Sequence, residues 1–199
     1  MKYLGVMLDQ HLNLAPQVAQ ACGKGSKWSS QIRRLAKPTW GLSSRRARKL
    51  YVSVALPWIL YGVDIWCTPM HGKTAKGKKK GSVNTIKKLT TVQRAGSLAV
   101  TGGFETSPTD SLEAHAALLP IELRVKKACF NTITRMATLP HEHPLHLLVK
   151  RSAKGRIKRH CSPIHSLTNI FGINSTDFEK IPPVHTVYTL AKEAHVNHI

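Results

Sequence analysis

Ten carboxylates, eleven histidines and four cysteines are the groups in this 199-residue sequence that could carry catalysis or hold a metal. Two-metal phosphoryl transfer needs at least two carboxylates converging on paired Mg²⁺ ions. Here Asp9 and Asp64 each stand alone, and Asp110 and Glu113 share one face of a helical segment. Asp110 is adequately explained as a favourable charge at the N-terminus of its helix, so no metal is expected there. There is no nucleophile elbow, phosphate-cradling glycine loop or kinase signature. Gly23-Lys24-Gly25-Ser26 falls short of the full phosphate-loop pattern and sits inside a helical stretch. His141, His143 and His146, followed by His160-Cys161 and His165, are metal-ligand types, but their spacing is none of those of a structural zinc site. Solvated imidazoles in a proline-bounded loop are the simpler reading. Cys22, Cys67, Cys129 and Cys161 contain no CxxC pair, which argues against a zinc ribbon and a disulfide scaffold. Reduced thiols in an intracellular protein, nuclear or cytoplasmic, are expected. The sequence predicts no catalytic residue, no metal and no cofactor.

Binding chemistry is far better represented. Thirty Lys and Arg face ten Asp and Glu, a net charge of +20 with a pI near 10.3. The excess is uneven: residues 1–104 hold eighteen basic residues and two acids, and residues 105–199 hold twelve and eight. A field of that sign repels itself unless a polyanion neutralises it. Lys and Arg on phosphates release condensed counterions, so nucleic acid is the expected partner, with an anionic membrane surface as its competitor and a merely solvated basic surface as the plain alternative. The candidate contacts are Arg33, Arg34, Arg45, Arg46, Lys49, Lys87, Lys88 and Arg94, on or beside helices, with Trp28, Trp40 and Tyr51 interleaved. Such groups hold phosphate without reading bases, and aromatics can add stacking. Core packing is the favoured role for Trp28 and Tyr51.

The elements that must position these groups are mostly helical. Residues 2–8 read as a short apolar strand, which needs a partner for its backbone groups. A helix is predicted from Leu14 to Lys37 with Val18, Ala21, Cys22, Trp28, Ile32 and Leu35 on one face, weakened at Gly23 and Gly25 and ended by Pro38. Leu42-Ser43-Ser44 offers a cap for the next, whose basic first turns lead into the uncharged Leu50–Val63 stretch. That stretch is shorter than a membrane span, is split by Pro57, and reads as a buried core helix. The Gly- and Lys-rich segment 70–83 reads as a loop. Asn84 is expected to cap a helix over Thr85–Val100 with Ile86, Leu89, Val92 or Gln93, and Gly96 as its stripe. A short helix over Asp110–Leu118 follows, then one from Pro120 to about Thr138 with Leu123, Lys127, Phe130, Ile133 and Met136 as contacts, then a last one after Pro144. Lys150, Arg151, Lys154, Arg156, Lys158 and Arg159 open a basic linker, residues 150–199, in which Ser162–Phe171 could be helical. The fold class is a small helical bundle over residues 13–149, with an N-terminal strand remnant over residues 1–12 and an irregular basic C-terminal linker.

The motifs along this pattern resemble the post-palm region of non-LTR retrotransposon reverse transcriptases, particularly fungal ones with a downstream RNase H domain. Lys2-Tyr3-Leu4-Gly5-Val6 and Leu8-Asp9 look like the strand where the palm gives way to the thumb. Leu50-Tyr51, Val54, Leu56-Pro57, Leu60-Tyr61-Gly62 and Trp66 resemble the family's next helix. Leu89, Val92-Gln93-Arg94 and Val100-Thr101-Gly102 resemble the one after it. Thr106-Ser107-Pro108, Leu112-Glu113 and Leu119-Pro120 follow in the family's order, and His143-Pro144-Leu145-His146 with residues 158–165 look like the linker before RNase H. The resemblance spans residues 2 to about 183. It implies a thumb and connection segment that grips the primer–template backbone. Nothing here matches the acidic polymerase motif expected upstream or RNase H carboxylates downstream, so the resemblance implies a fragment with no catalytic centre, whose partners are an RNA or RNA–DNA duplex and the missing palm and RNase H domains. The rival is a stand-alone small basic protein that binds or scaffolds RNA. A third option is membrane-surface binding through Leu50–Trp66.

Overall fold

Lys2–Tyr3 (β1) and Val6–Met7 (β2) pair antiparallel, Lys2 opposite Met7 and Tyr3 opposite Val6. The structure is a computed structural model and describes residues 1–36, 40–73, 77–154, 162–174 and 176–180. Between the two strands Leu4 and Gly5 both have positive φ, 44° and 85°, the geometry of a two-residue hairpin turn. The expectation of one strand awaiting a partner is therefore corrected. Gly5 adopts the left-handed conformation easily, so the segment folds back and satisfies its own backbone. The hairpin is also docked. Val6 is buried, the Gln17 side-chain oxygen accepts the Met7 N–H at 2.9 Å, and the Tyr61 hydroxyl donates to the Leu4 carbonyl at 3.0 Å. Removing that hydroxyl with Tyr61→Phe should cost about 1 kcal/mol locally. The check is amide exchange at Val6 and Met7, which should speed up severalfold while the helical core stays unchanged.

Asp9 connects the hairpin to the first helix. Its carboxylate accepts the Leu14 N–H at 2.7 Å and the Asn13 N–H at 3.2 Å. The Leu14 bond is the main reason its pKa lies below the ordinary carboxylate value. A lowered pKa means the contact is strongest above the unfolded-state value and fades as pH falls through the folded one.

Helix α1 (Ala15–Leu35) runs as one helix through Gly23 and Gly25, the two residues that weaken its middle. It packs along α5 (Val83–Thr101). Gly25 is what lets the two approach: a Cβ there would stand 2.2 Å from a Val92 methyl and 3.1 Å from the Ile59 side chain. On α1, Val18, Ala21 and Ile32 are buried as expected, whereas Cys22 and Trp28 are half-buried and Leu35 is exposed.

Helix α2 (Ser44–Leu50) continues through a π-helical turn, Tyr51–Ala55, into α3 (Leu56–Ile59). Pro57 has no N–H to donate and its ring crowds the carbonyl four residues back, so a wide turn upstream relieves a clash a regular helix would impose. The chain breaks at Leu60–Gly62, with Gly62 at φ 62°, before the single turn α4 (Val63–Trp66). Tyr51, Ala55, Leu56, Ile59 and Val63 are buried, as expected for a core segment. Among the described residues no helix is long and apolar enough to cross a membrane.

The lysine-rich segment is a loop only in part. His71–Lys73 (β3) pairs antiparallel with Lys79–Lys80 (β4), and its base is held by the Ser82 N–H on the Thr68 carbonyl and the Thr68 N–H on the Ser82 hydroxyl, both 3.0 Å. Ser82, not Asn84, occupies the N-cap position of α5. Ile86, Leu89, Val92, Gln93 and Gly96 all lie on its buried stripe. After α6 (Thr109–His115), helix α7 (Ile121–Ala137) buries Ile121, Val125, Cys129, Ile133 and Ala137, a strict four-residue stripe. That corrects the expected face: Leu123 and Phe130 are 48% and 44% exposed, and of the five contacts named only Ile133 is buried. The bulky Leu123 and Phe130 drew the expected face; the buried one combines Ile121, Val125 and Ile133 with the smaller Cys129 and Ala137.

Two compact units result, Met1–Cys129 and Phe130–Ile199, so the division falls inside α7. Residue 150, where composition places the start of a linker, lies within α8 (Pro144–Lys154). In the second unit α8 packs on α9 (Pro163–Phe171), with the Ser152 and Thr168 hydroxyls 3.0 Å apart in its interior and the Phe130 and Phe171 rings edge to face. Lys37, Pro38, Lys76, Arg156, Lys158, Arg159, His160, Cys161 and the end of the chain beyond residue 180 lie outside the described residues. The fold is mostly helical.

Candidate nucleic-acid interface

The eight predicted cations fall into two groups. An isolated bridge between Ala36 and Gly41, reinforced by the Leu42 N–H on the Leu35 carbonyl at 2.8 Å, turns the chain sharply after α1. The last turn of α1, with Arg33 and Arg34, and the short helix α2, with Arg45, Arg46 and Lys49, flank that turn. All five side chains are exposed. Arg94 reaches the same end from α5. Its guanidinium donates to the Thr109 hydroxyl at 2.9 Å and to the Glu105 carbonyl, while Arg33 pairs with the Glu105 carboxylate at 3.5 Å. Arg94 therefore shapes the loop between α5 and α6 and is half-buried, unlike the other four arginines of the list. The Arg33 pair is fully in water, where such contacts contribute little, and phosphate can displace it.

Lys87 and Lys88 lie elsewhere. They sit in the first turns of α5, thirteen or more residues from its C-terminal end, which is about 20 Å along a helix. They also diverge. Lys87 lines a cleft together with Lys79, Asp110, Glu113 and Glu122, so carboxylates share its surroundings. Lys88 stands near Cys22 on α1. Arg33, Arg34, Arg45, Arg46 and Lys49 are thus exposed on the two helices that flank this turn, Arg94 is tied to the loop after α5, and Lys87 and Lys88 lie in the first turns of α5.

The remaining basic side chains of α2 show what a structural cation looks like by contrast. Arg48, though exposed, donates twice to the Ala117 carbonyl, at 3.1 and 2.9 Å, just past the C-terminal end of α6. Of the interleaved aromatics, Tyr51 is fully buried against Gly96, so it is core as expected, and Trp28 is half-buried. Two aromatics not named as candidates, Trp58 and Tyr61, are 57% and 51% exposed. For Tyr61 a sequence signal was available: in a helical stretch with Tyr51, Ala55, Ile59 and Val63 on one face, position 61 falls on the far side. Position 58, seven residues from Tyr51, falls beside that face and gives no such signal.

The metal-ligand types do not assemble. Among the described residues no group of three or more His, Cys, Asp or Glu is placed to hold a metal ion. Glu113 is buried and accepts a hydrogen bond from Gln93 at 2.6 Å, while Asp110 is exposed. In the second unit the His141 and His146 rings share a hydrogen bond of 3.1 Å. Cys67 and Cys129 are buried near each other, and burial pushes both thiols up to about 12, which keeps them protonated and unreactive. Comparison of the chain with protein-family models, with curated proteins and with solved structures found no match.

Proposed function

We propose that the chain is the thumb and connection segment of a non-LTR retrotransposon reverse transcriptase, gripping an RNA or RNA–DNA duplex by its backbone and carrying no catalytic centre of its own. The observation that carries the binding part is the patch at the α1–α2 turn: Arg33, Arg34, Arg45, Arg46 and Lys49 are all exposed there. Of the two acids in residues 1–104, Asp9 is engaged in the turn before α1 and Asp64 is half-buried. A surface so composed attracts phosphate and has no means of reading bases. The assignment to that family leans on the order of its motifs, and packing gives the order some support. The Lys2–Val6 and Tyr61-Gly62 motif residues touch each other, and Gln93 from the next motif meets Glu113 and Leu119, both from the motif after it, at one junction.

Replacing all five patch residues with Gln tests the binding part. Duplex affinity should fall about a hundredfold or more at moderate salt, and the slope of log affinity on log salt should flatten by about four, near 0.9 per lost phosphate contact. An unchanged slope sinks the patch as the interface. The second reading, a stand-alone small basic RNA-binding or scaffolding protein, is favoured by one specific observation: residues 2–7 pair with each other and need no strand from a palm. Sequencing the transcript through both flanks of this reading frame separates the two. An acidic polymerase motif upstream and RNase H sequence downstream supports the first; ordinary untranslated flanks support the second.

A further inference from the structure

Lys2, Gly5, Lys24, Pro57, Trp58 and Tyr61 line an open cleft of about 420 Å³ in the first unit. Its composition is unusual for a surface left to water. More than half of the Trp58 side chain and half of Tyr61 are exposed, one helical turn apart in sequence. Large aromatics on a monomer surface generally mark a contact that covers them. The Tyr61 ring is held, and the Trp58 ring carries a cation. The Tyr61 hydroxyl donates to the Leu4 carbonyl at 3.0 Å, and Gly5 lies so close that a Cβ would stand 3.1 Å from the ring. The Lys24 ammonium lies 5.7 Å from the Trp58 ring centroid, within cation–π range. No carboxylate lines the cleft.

We propose that this cleft is a stacking site for an unpaired nucleobase, so that the chain holds a single-stranded segment of nucleic acid there. A flat π-face suits the exposed rings, and stacking on a fixed aromatic forfeits little side-chain freedom. The phosphates flanking that base are matched by Lys2 and Lys24, with Lys24 exchanging its contact on Trp58 for one on phosphate. Such a site tolerates any base, because every base has a π-face. The choice of nucleic acid as occupant rests on the reading above, but the site uses none of the α1, α2 or α5 cations of that patch.

The test uses the full chain and labelled RNA–DNA duplexes in fluorescence anisotropy: one blunt, one with a short single-stranded overhang, and one whose overhang is abasic. The expected result is that the overhang tightens binding about fivefold or more, and that the abasic overhang loses most of that gain. Trp58→Ala should abolish the gain and leave blunt-duplex affinity unchanged, and Trp58→Phe should keep part of it. Equal binding of blunt and overhang duplexes overturns the proposal, as does an abasic overhang that binds as well as the intact one. So does a Trp58→Ala loss that is the same on all three ligands, or Trp58-dependent capture by phosphatidylserine vesicles with no overhang preference. The two arms with unaltered protein decide the matter even if Trp58→Ala unfolds. The five-residue Gln variant keeps the two readings apart. It should weaken blunt and overhang duplexes alike while the overhang gain survives; loss of the gain in that variant also overturns a separate site.

Discussion

Gly96→Ala is expected to lower the unfolding free energy of the first unit by about 2–3 kcal/mol, the upper part of the range for forcing a methyl into a filled core. A Cβ at Gly96 would stand 2.4 Å from a ring carbon of Tyr51 and 2.8 Å from its hydroxyl. Tyr51 is fully buried, in the π-helical turn, so its ring has nowhere to go. Alanine is the better helix former by about 1 kcal/mol, but the overlap is with a rigid ring and wins. The same substitution elsewhere on the helices has the opposite sign. Gly23 on α1 has open space where a Cβ would be, so Gly23→Ala should raise stability by about 0.5–1 kcal/mol. Two residues later Gly25→Ala meets Val92, whose branched side chain has one good rotamer on a helix, and should destabilise. Pairing Gly25→Ala with Val92→Ala should return part of the loss. Urea unfolding followed by circular dichroism measures all four. Gly96→Ala at wild-type stability would mean that α5 and the Tyr51 turn are not in contact.

These glycines show where the sequence is legible and where it is not. The period of α5, with Ile86, Leu89, Val92 or Gln93, and Gly96 on one stripe, gives its buried face directly, because a 3.6-residue repeat needs no knowledge of what lies opposite. What Gly96 is for depends on Tyr51, forty-five residues away, and no local pattern contains that. Helix α7 fails for the same reason. Leu123 and Phe130 are the bulkier residues, yet the face built from Ile121, Val125, Cys129 and Ala137 is the one that meets neighbours. Residues 2–8 have strand-like composition and do form strand, but the positive φ at Leu4 and Gly5 turns them into a hairpin. Charge alone pointed to Arg33, Arg34, Arg45, Arg46 and Lys49, and all five are exposed. It could not tell Arg94, which ties down the loop at Glu105 and Thr109, from a free cation, nor place Lys87 among carboxylates contributed by α6 and α7.

Gln93→Leu should be the most damaging volume-conserving change in the chain, costing about 2–4 kcal/mol. Gln93 and Glu113 are 1% and 5% exposed, and the Gln93 amide donates to the Glu113 carboxylate at 2.6 Å and to the Leu119 carbonyl at 3.0 Å. One amide thereby satisfies a buried side chain on α6 and the carbonyl that precedes the turn into α7. Leucine fills the same space but removes both donors. The loss of the bonds themselves is modest, because each replaces a bond to water; the large term is a carboxylate left in the interior without its partner. Three variants separate those terms. Glu113→Gln keeps an oxygen for the Gln93 amide and should cost less than Gln93→Leu. Glu113→Leu removes the acceptor and leaves the amide its bond to Leu119. The double variant Gln93→Leu/Glu113→Leu leaves no buried charge, so its cost should fall short of the sum of the single ones by about 1–2 kcal/mol. A double variant whose cost equals that sum would show that Gln93 and Glu113 act independently. The junction between α5, α6 and the start of α7 would then be held by apolar packing, with the buried pair only tolerated within it.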